Sequence, residues 1–176
     1  MRIIRPRRGL RPVLSLTLAG LSLAGATQAA GANRERLVAR GGATVRDGPC
    51  NASGCPIVLT GGTFRGTPVG TGAYRGDLVL KVADGFENGE GGVCAPIAGR
   101  IVLGAGSRDR LVLAVEGSSC QDGTGPVPAA SFTGLARFTV TRGTGAYAHA
   151  HGSGLASFLE DAVDHDRMTL IGRISR

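Results

Sequence analysis

The amino-acid sequence predicts an all-β fold, an antiparallel closed barrel of about eight strands preceded by a signal peptide. Three observations carry that expectation. The chain of 176 residues holds 30 glycines and no tryptophan, and so much glycine without a collagen period points to many turns and bulges. Its core-forming residues recur with period two, the repeat of half-buried strands. Only Gly154–Val163 also suits a helical turn, and its glycine start argues against one. So many short strands suit a closed barrel or a sandwich, and closure into a barrel removes the exposed strand edges that an all-β chain must otherwise protect.

The first element is the leader, residues 1–30. Arg2, Arg5, Arg7, Arg8 and Arg11 form a basic start without an acid, Val13–Ala26 is an apolar run, and small residues follow up to Ala30. That tripartite order is a secretory signal peptide cleaved near Ala29 or Ala30. The run falls short of the ~20 apolar residues of a membrane span. The expectation is therefore a secreted domain, residues 31–176, with no stable membrane span after cleavage. Of 20 basic residues five lie in the leader, so 20 − 5 leaves 15 against 13 acids. The remaining arginines are scattered singly and Lys81 is the one lysine, so no nucleic-acid partner is expected.

Past a short polar lead, strands alternate with glycine turns. Leu78, Leu80 and Val82 share a face, and Asp84–Gly92 ends that strand. Ile97, Ile101, Leu103, Leu111, Leu113 and Val115 share the next face, across a hairpin centred on Ser107. Phe132, Ala136, Phe138 and Val140 make another, and Met168, Leu170, Gly172 and Ile174 the last. The four cysteines fit an oxidising compartment and two disulfides. Cys50 and Cys55 flank the tight turn Asn51–Gly54. Cys94 and Cys120 face each other in the Ser107-centred register, because opposed positions then sum to 214 and 94 + 120 = 214. The expected pairs are Cys50–Cys55 and Cys94–Cys120.

Gly70-Thr-Gly-Ala-Tyr74 recurs as Gly143-Thr-Gly-Ala-Tyr147, and each copy follows a Phe-x-Gly segment, Phe64–Gly66 and Phe132–Gly134. Both read as tight turns that deliver an aromatic anchor, with Gly72 and Gly145 at positive φ. The second copy belongs to a longer pattern: Phe132-x-Gly134, Gly143–Tyr147-Ala-x-Ala-x-Gly152-x-Gly154, then Thr169-Leu-x-Gly172-x-Ile174. Over 130–175 this resembles the carboxy-terminal half of allene oxide cyclase-like and dirigent-like barrels, a pattern shared with related secreted bacterial proteins of unassigned function. The resemblance implies an eight-stranded antiparallel barrel. Its members include cofactor-independent isomerases or cyclases and proteins that only steer a reactive intermediate. No catalytic residue of either group aligns with this chain.

The functional expectation is accordingly a disulfide-stabilised barrel that is non-catalytic or binds a small apolar molecule; the alternative is a cyclase or dirigent-type activity inside the barrel. No cofactor is expected. Arg100, Glu116 and Arg137 are candidates for polar groups lining a cavity, although strand charges more often face water. His149 and His151 are weak metal candidates, since a His-x-His pair on a strand supplies two ligands from one face. The competing expectation packs Ala146, Ala148, Ala150 and Gly152 inward and leaves both histidines in water. Asp84–Glu90 looks like a calcium loop but has Phe86 where the second oxygen ligand belongs. Asn51-Ala-Ser53 is a formal glycosylation sequon within the small cysteine loop.

Overall fold

The computed structural model describes residues 34–89, 92–122, 131–161 and 165–176; the leader, Glu90 and the end of the Gly154–Val163 segment lie outside them. Nine strands follow in chain order: β1 (Glu35–Asp47), β2 (Cys55–Thr67), β3 (Gly70–Leu80), β4 (Phe86–Glu87), β5 (Val93–Leu103), β6 (Arg110–Asp122), β7 (Ser131–Thr144), β8 (His151–Asp161) and β9 (His165–Ser175). They pair antiparallel in the order β3-β2-β1-β9-β8-β7-β6-β5, and a β3–β5 pairing closes the ring into an eight-stranded barrel. The two-residue β4 flanks β5. Among the described residues the helical turns are two short 3-10 segments, Val82–Asp84 and Gly145–Tyr147. Gly154–Val163 contributes strand β8 as far as Asp161, because Ala156 and Phe158 alternate inward from it.

The hairpin register follows the expected sum, pairing Cys94 with Cys120 and Leu103 with Leu111. Both predicted disulfides are formed, Cys50–Cys55 and Cys94–Cys120. Inward positions supply one continuous core that includes Leu37, Leu59, Ile101, Leu113, Met168 and Leu170.

Glycines inside the wall explain how a narrow barrel holds its aromatic rings. Phe64 and Tyr74 lie directly across from Gly72 and Gly62 on the β2–β3 pair. Phe138 and Phe158 lie across from Gly154 and Gly134 on β7–β8. Each ring lies over the bare backbone of its partner; a Cβ on Gly62 would stand 2.6 Å from the Tyr74 ring, and one on Gly154 would stand 2.7 Å from Phe138. Part of the glycine content is thus space for four rings, and a methyl at these points would overpack the core.

The two Gly-Thr-Gly-Ala-Tyr copies differ. Gly145 has φ 60° and opens a 3-10 turn. In the first copy the left-handed residue is Gly70 at φ 71°, at the start of β3. Gly72 is therefore corrected: it is a strand residue kept small by Phe64, whose ring would lie 3.1 Å from its Cβ.

One end of the barrel is sealed by Tyr147, whose hydroxyl donates to the Pro68 carbonyl at 3.4 Å. The Arg176 guanidinium lies over its ring and donates to both Glu35 carboxylate oxygens, at 2.7 and 2.8 Å. The opposite end is the mouth, where the candidate site lies.

Candidate functional site

Strand alternation that turns Met168 and Leu170 inward also turns Asp166 inward, where it is 3% exposed. A lone carboxylate in such a place is costly unless it is paired. Its partner is Tyr74, 1% exposed, whose hydroxyl donates to Asp166 Oδ2 at 3.3 Å. To reach it, the ring crosses the inner faces of β2 and β1 over Gly62 and Gly41. Burial pushes the Asp166 carboxyl up to about 6, and the Tyr74 hydrogen bond partly offsets this. Burial likewise raises the Tyr74 phenol, reinforced by the Asp166 charge and the shared hydrogen bond. The phenol stays protonated and donates, while the carboxyl changes charge in mildly acidic solution.

Asp166 faces Glu160 across the β8–β9 ladder. Both line a small space at the mouth with Ser119 and the apolar side chains of Leu59, Leu78 and Phe158. Its volume is about 30 Å³, room for roughly one or two waters. Small-molecule sites occupy roughly 300–1,000 Å³. Chemically, the arrangement can hold and release a proton; the space lacks the volume to enclose an organic substrate.

The sequence candidates fall elsewhere. Arg100, Glu116 and Arg137 are corrected as cavity residues: they occupy the outward positions of their strands. Arg100 Nε pairs with Asp77 Oδ2 at 3.1 Å in solvent, and Glu116 lies opposite Arg137 on the outer wall. The reason is parity, since Ile101, Val115 and Phe138 beside them are the inward residues.

His149 and His151 are both exposed, and no group of three His, Cys, Asp or Glu side chains suited to a metal occurs among the described residues. Residues 145–149 form a turn, so the expected inward packing of Ala146 and Ala148 fails; both are exposed, and Ala150 alone packs against the core. His151 Nε2 lies 2.7 Å from Ser175 Oγ, and its Nδ1 lies 3.3 Å from the His149 carbonyl oxygen. The geometry is that of a hydroxyl beside an oriented imidazole; Ser175 is 1% exposed, and the two residues line a cleft of about 580 Å³ on the outer wall with Arg34, Arg36 and Arg173. The pair ties β8 to β9 at the sealed end.

In the acidic turn, Asn88 Oδ1 accepts the Gly92 N–H at 2.7 Å. Asn51 Oδ1 accepts the Ser53 N–H at 2.7 Å, so the sequon side chain closes its own turn.

Tyr74 and Asp166 were absent from the sequence candidates. The signal existed: extending the period-two face of Met168, Leu170, Gly172 and Ile174 back by one step lands on Asp166.

No family model, curated protein or solved structure matches the chain.

Proposed function

We propose that this chain is an exported, non-catalytic barrel whose working surface is its outer wall. The filled interior carries the reading. Among the described residues twenty-three buried apolar residues form one cluster, and the inner space that Asp166 lines with Leu59 and Leu78 is about 30 Å³. Export rests on the leader pattern and is supported by two disulfides in the fold. The closed eight-stranded ring agrees with the allene oxide cyclase-like and dirigent-like resemblance and supplies no activity by itself. Native mass spectrometry of protein recovered from the medium tests the reading. The expected mass is that of the chain without residues 1–30, both disulfides closed and no bound organic molecule; a stoichiometric copurifying ligand contradicts it.

A second reading has one observation in its favour, the Tyr74–Asp166 pair at the mouth. A buried carboxyl that titrates near neutrality suits proton transfer, as in a cofactor-independent isomerase. That reading requires the mouth to open about tenfold in volume for a substrate, and the same mass measurement would reveal a retained ligand.

A further inference from the structure

Arginines scattered along the sequence are gathered by strand register. The outward positions of β1, β2 and β9 carry Arg36, Arg40, Arg46, Arg65, Arg167 and Arg173, with no aspartate or glutamate between them. Arg36 and Arg173 stand directly opposite each other, a like-charge placement that is unfavourable unless an anion joins the two. They line a cleft of about 580 Å³ with Arg34, His151 and Ser153.

Beside this cationic field the wall is apolar. Leu135, Leu155, Ile171 and Leu159 are 60%, 53%, 47% and 44% exposed. Ile171 faces Leu155 across β8–β9, Val38 continues the row on β1, and Leu135 lies opposite Ser157, between Leu155 and Leu159. Arg137 faces Leu155 from the other side, with Glu116 opposite it on β6. The patch is thus an apolar centre flanked by arginines.

We infer that this wall docks on anionic phospholipid bilayers, with the arginines on lipid phosphates and the leucines and Ile171 among the upper acyl chains. Two observations select that occupant. The facing arginines Arg36 and Arg173 call for an anion between them, and exposed apolar side chains stand beside them on the same wall. A purely anionic polymer would account for the arginines and leave the exposed leucines unexplained, whereas anionic lipid uses both. The inference rests on the outer wall being the working surface.

Vesicle flotation tests it, using the barrel unit Ala32–Arg176, which contains every strand and both disulfides. Residues 1–30 are left out because their arginines and apolar run would bind vesicles on their own. At about 0.1 M salt the unit should float with phosphatidylcholine vesicles containing phosphatidylglycerol and stay behind with phosphatidylcholine alone. Arg36→Ser with Arg173→Ser should weaken binding roughly thirtyfold. Leu155→Ser with Ile171→Ser should weaken it at least roughly tenfold. All four residues are on the outer wall, and unchanged thermal melts would show intact folds.

Failure of the unaltered unit to float overturns the inference, as does equal binding to neutral vesicles. Full binding by the leucine–isoleucine variant also overturns it; heparin and duplex DNA then identify a polyanion surface, and the outer-wall reading survives. If sedimentation shows a dimer that this variant dissolves, the patch joins copies of the chain and the lipid inference falls.

Discussion

Replacing Asp166 by asparagine should stabilise the barrel at neutral pH and remove part of its pH dependence. The buried carboxyl titrates at about 6 in the fold against an ordinary 3.8, so the folded state binds this proton more tightly than the unfolded chain. The contribution is most favourable below 3.8 and is lost as pH rises through about 6, levelling off above it. At about 1.4 kcal/mol per pH unit the loss is about 3 kcal/mol. Asparagine keeps the oxygen that accepts from Tyr74 and cannot ionise, but its amide group needs a partner at a cost of about 1 kcal/mol. Asp166→Asn should therefore exceed the parent by about 2 kcal/mol near pH 7.5 and fall slightly below it near pH 4. Urea unfolding of both proteins at the two pH values measures this directly. Parallel pH profiles, or a variant less stable at pH 7.5, would refute the account of the buried pair.

Gly62→Ala should destabilise by about 1–3 kcal/mol in urea unfolding, because its Cβ would stand 2.6 Å from the Tyr74 ring and 2.8 Å from a backbone oxygen. Gly145→Val should cost about 1–3 kcal/mol through left-handed backbone strain, and its Cβ would also collide with Asp109 Oδ1, which accepts the Ala146 N–H. His149→Ala, at an exposed turn, should stay within about 0.5 kcal/mol; thermal melts that reverse this order would reassign the turn. Loss of Cys94–Cys120, separated by 26 residues, should cost ~3.5 kcal/mol, and loss of Cys50–Cys55, separated by 5, ~2 kcal/mol. Paired Cys→Ala variants give the comparison.

Fold class, hairpin register and disulfide pairing were legible because they depend on local alternation and on one sum across a short loop. Ring closure was legible from the need to protect strand edges and from the resemblance, but the β3–β5 pairing itself was not, since it joins strands that are not consecutive. The two Gly-Thr-Gly-Ala-Tyr copies misled because identical residues meet different neighbours: Phe64 faces Gly72, whereas the Asp109 carboxylate holds the turn at Gly145. The charged residues Arg100, Glu116 and Arg137 attracted attention by type, while parity alone placed them outside. Asp166 was missed for the converse reason: the inward face was followed back only to Met168, where its apolar residues begin. The arginine wall could not be read from spacing, because Arg36 and Arg173 lie at opposite ends of the barrel sequence and meet only through the β1–β9 register.

Methyl-resolved NMR of the barrel unit, titrated with a small apolar molecule such as indole and then with anionic bicelles, tests the central claim that the interior is filled and the outer wall does the work. Leu59, Leu78 and Ile97 line the mouth space and should remain unmoved by indole, while Leu135, Leu155, Leu159 and Ile171 shift with bicelles. Saturable shifts at Leu59, Leu78 and Ile97 on adding indole, with the outer-wall methyls silent toward bicelles, would contradict the account and place the function inside the barrel.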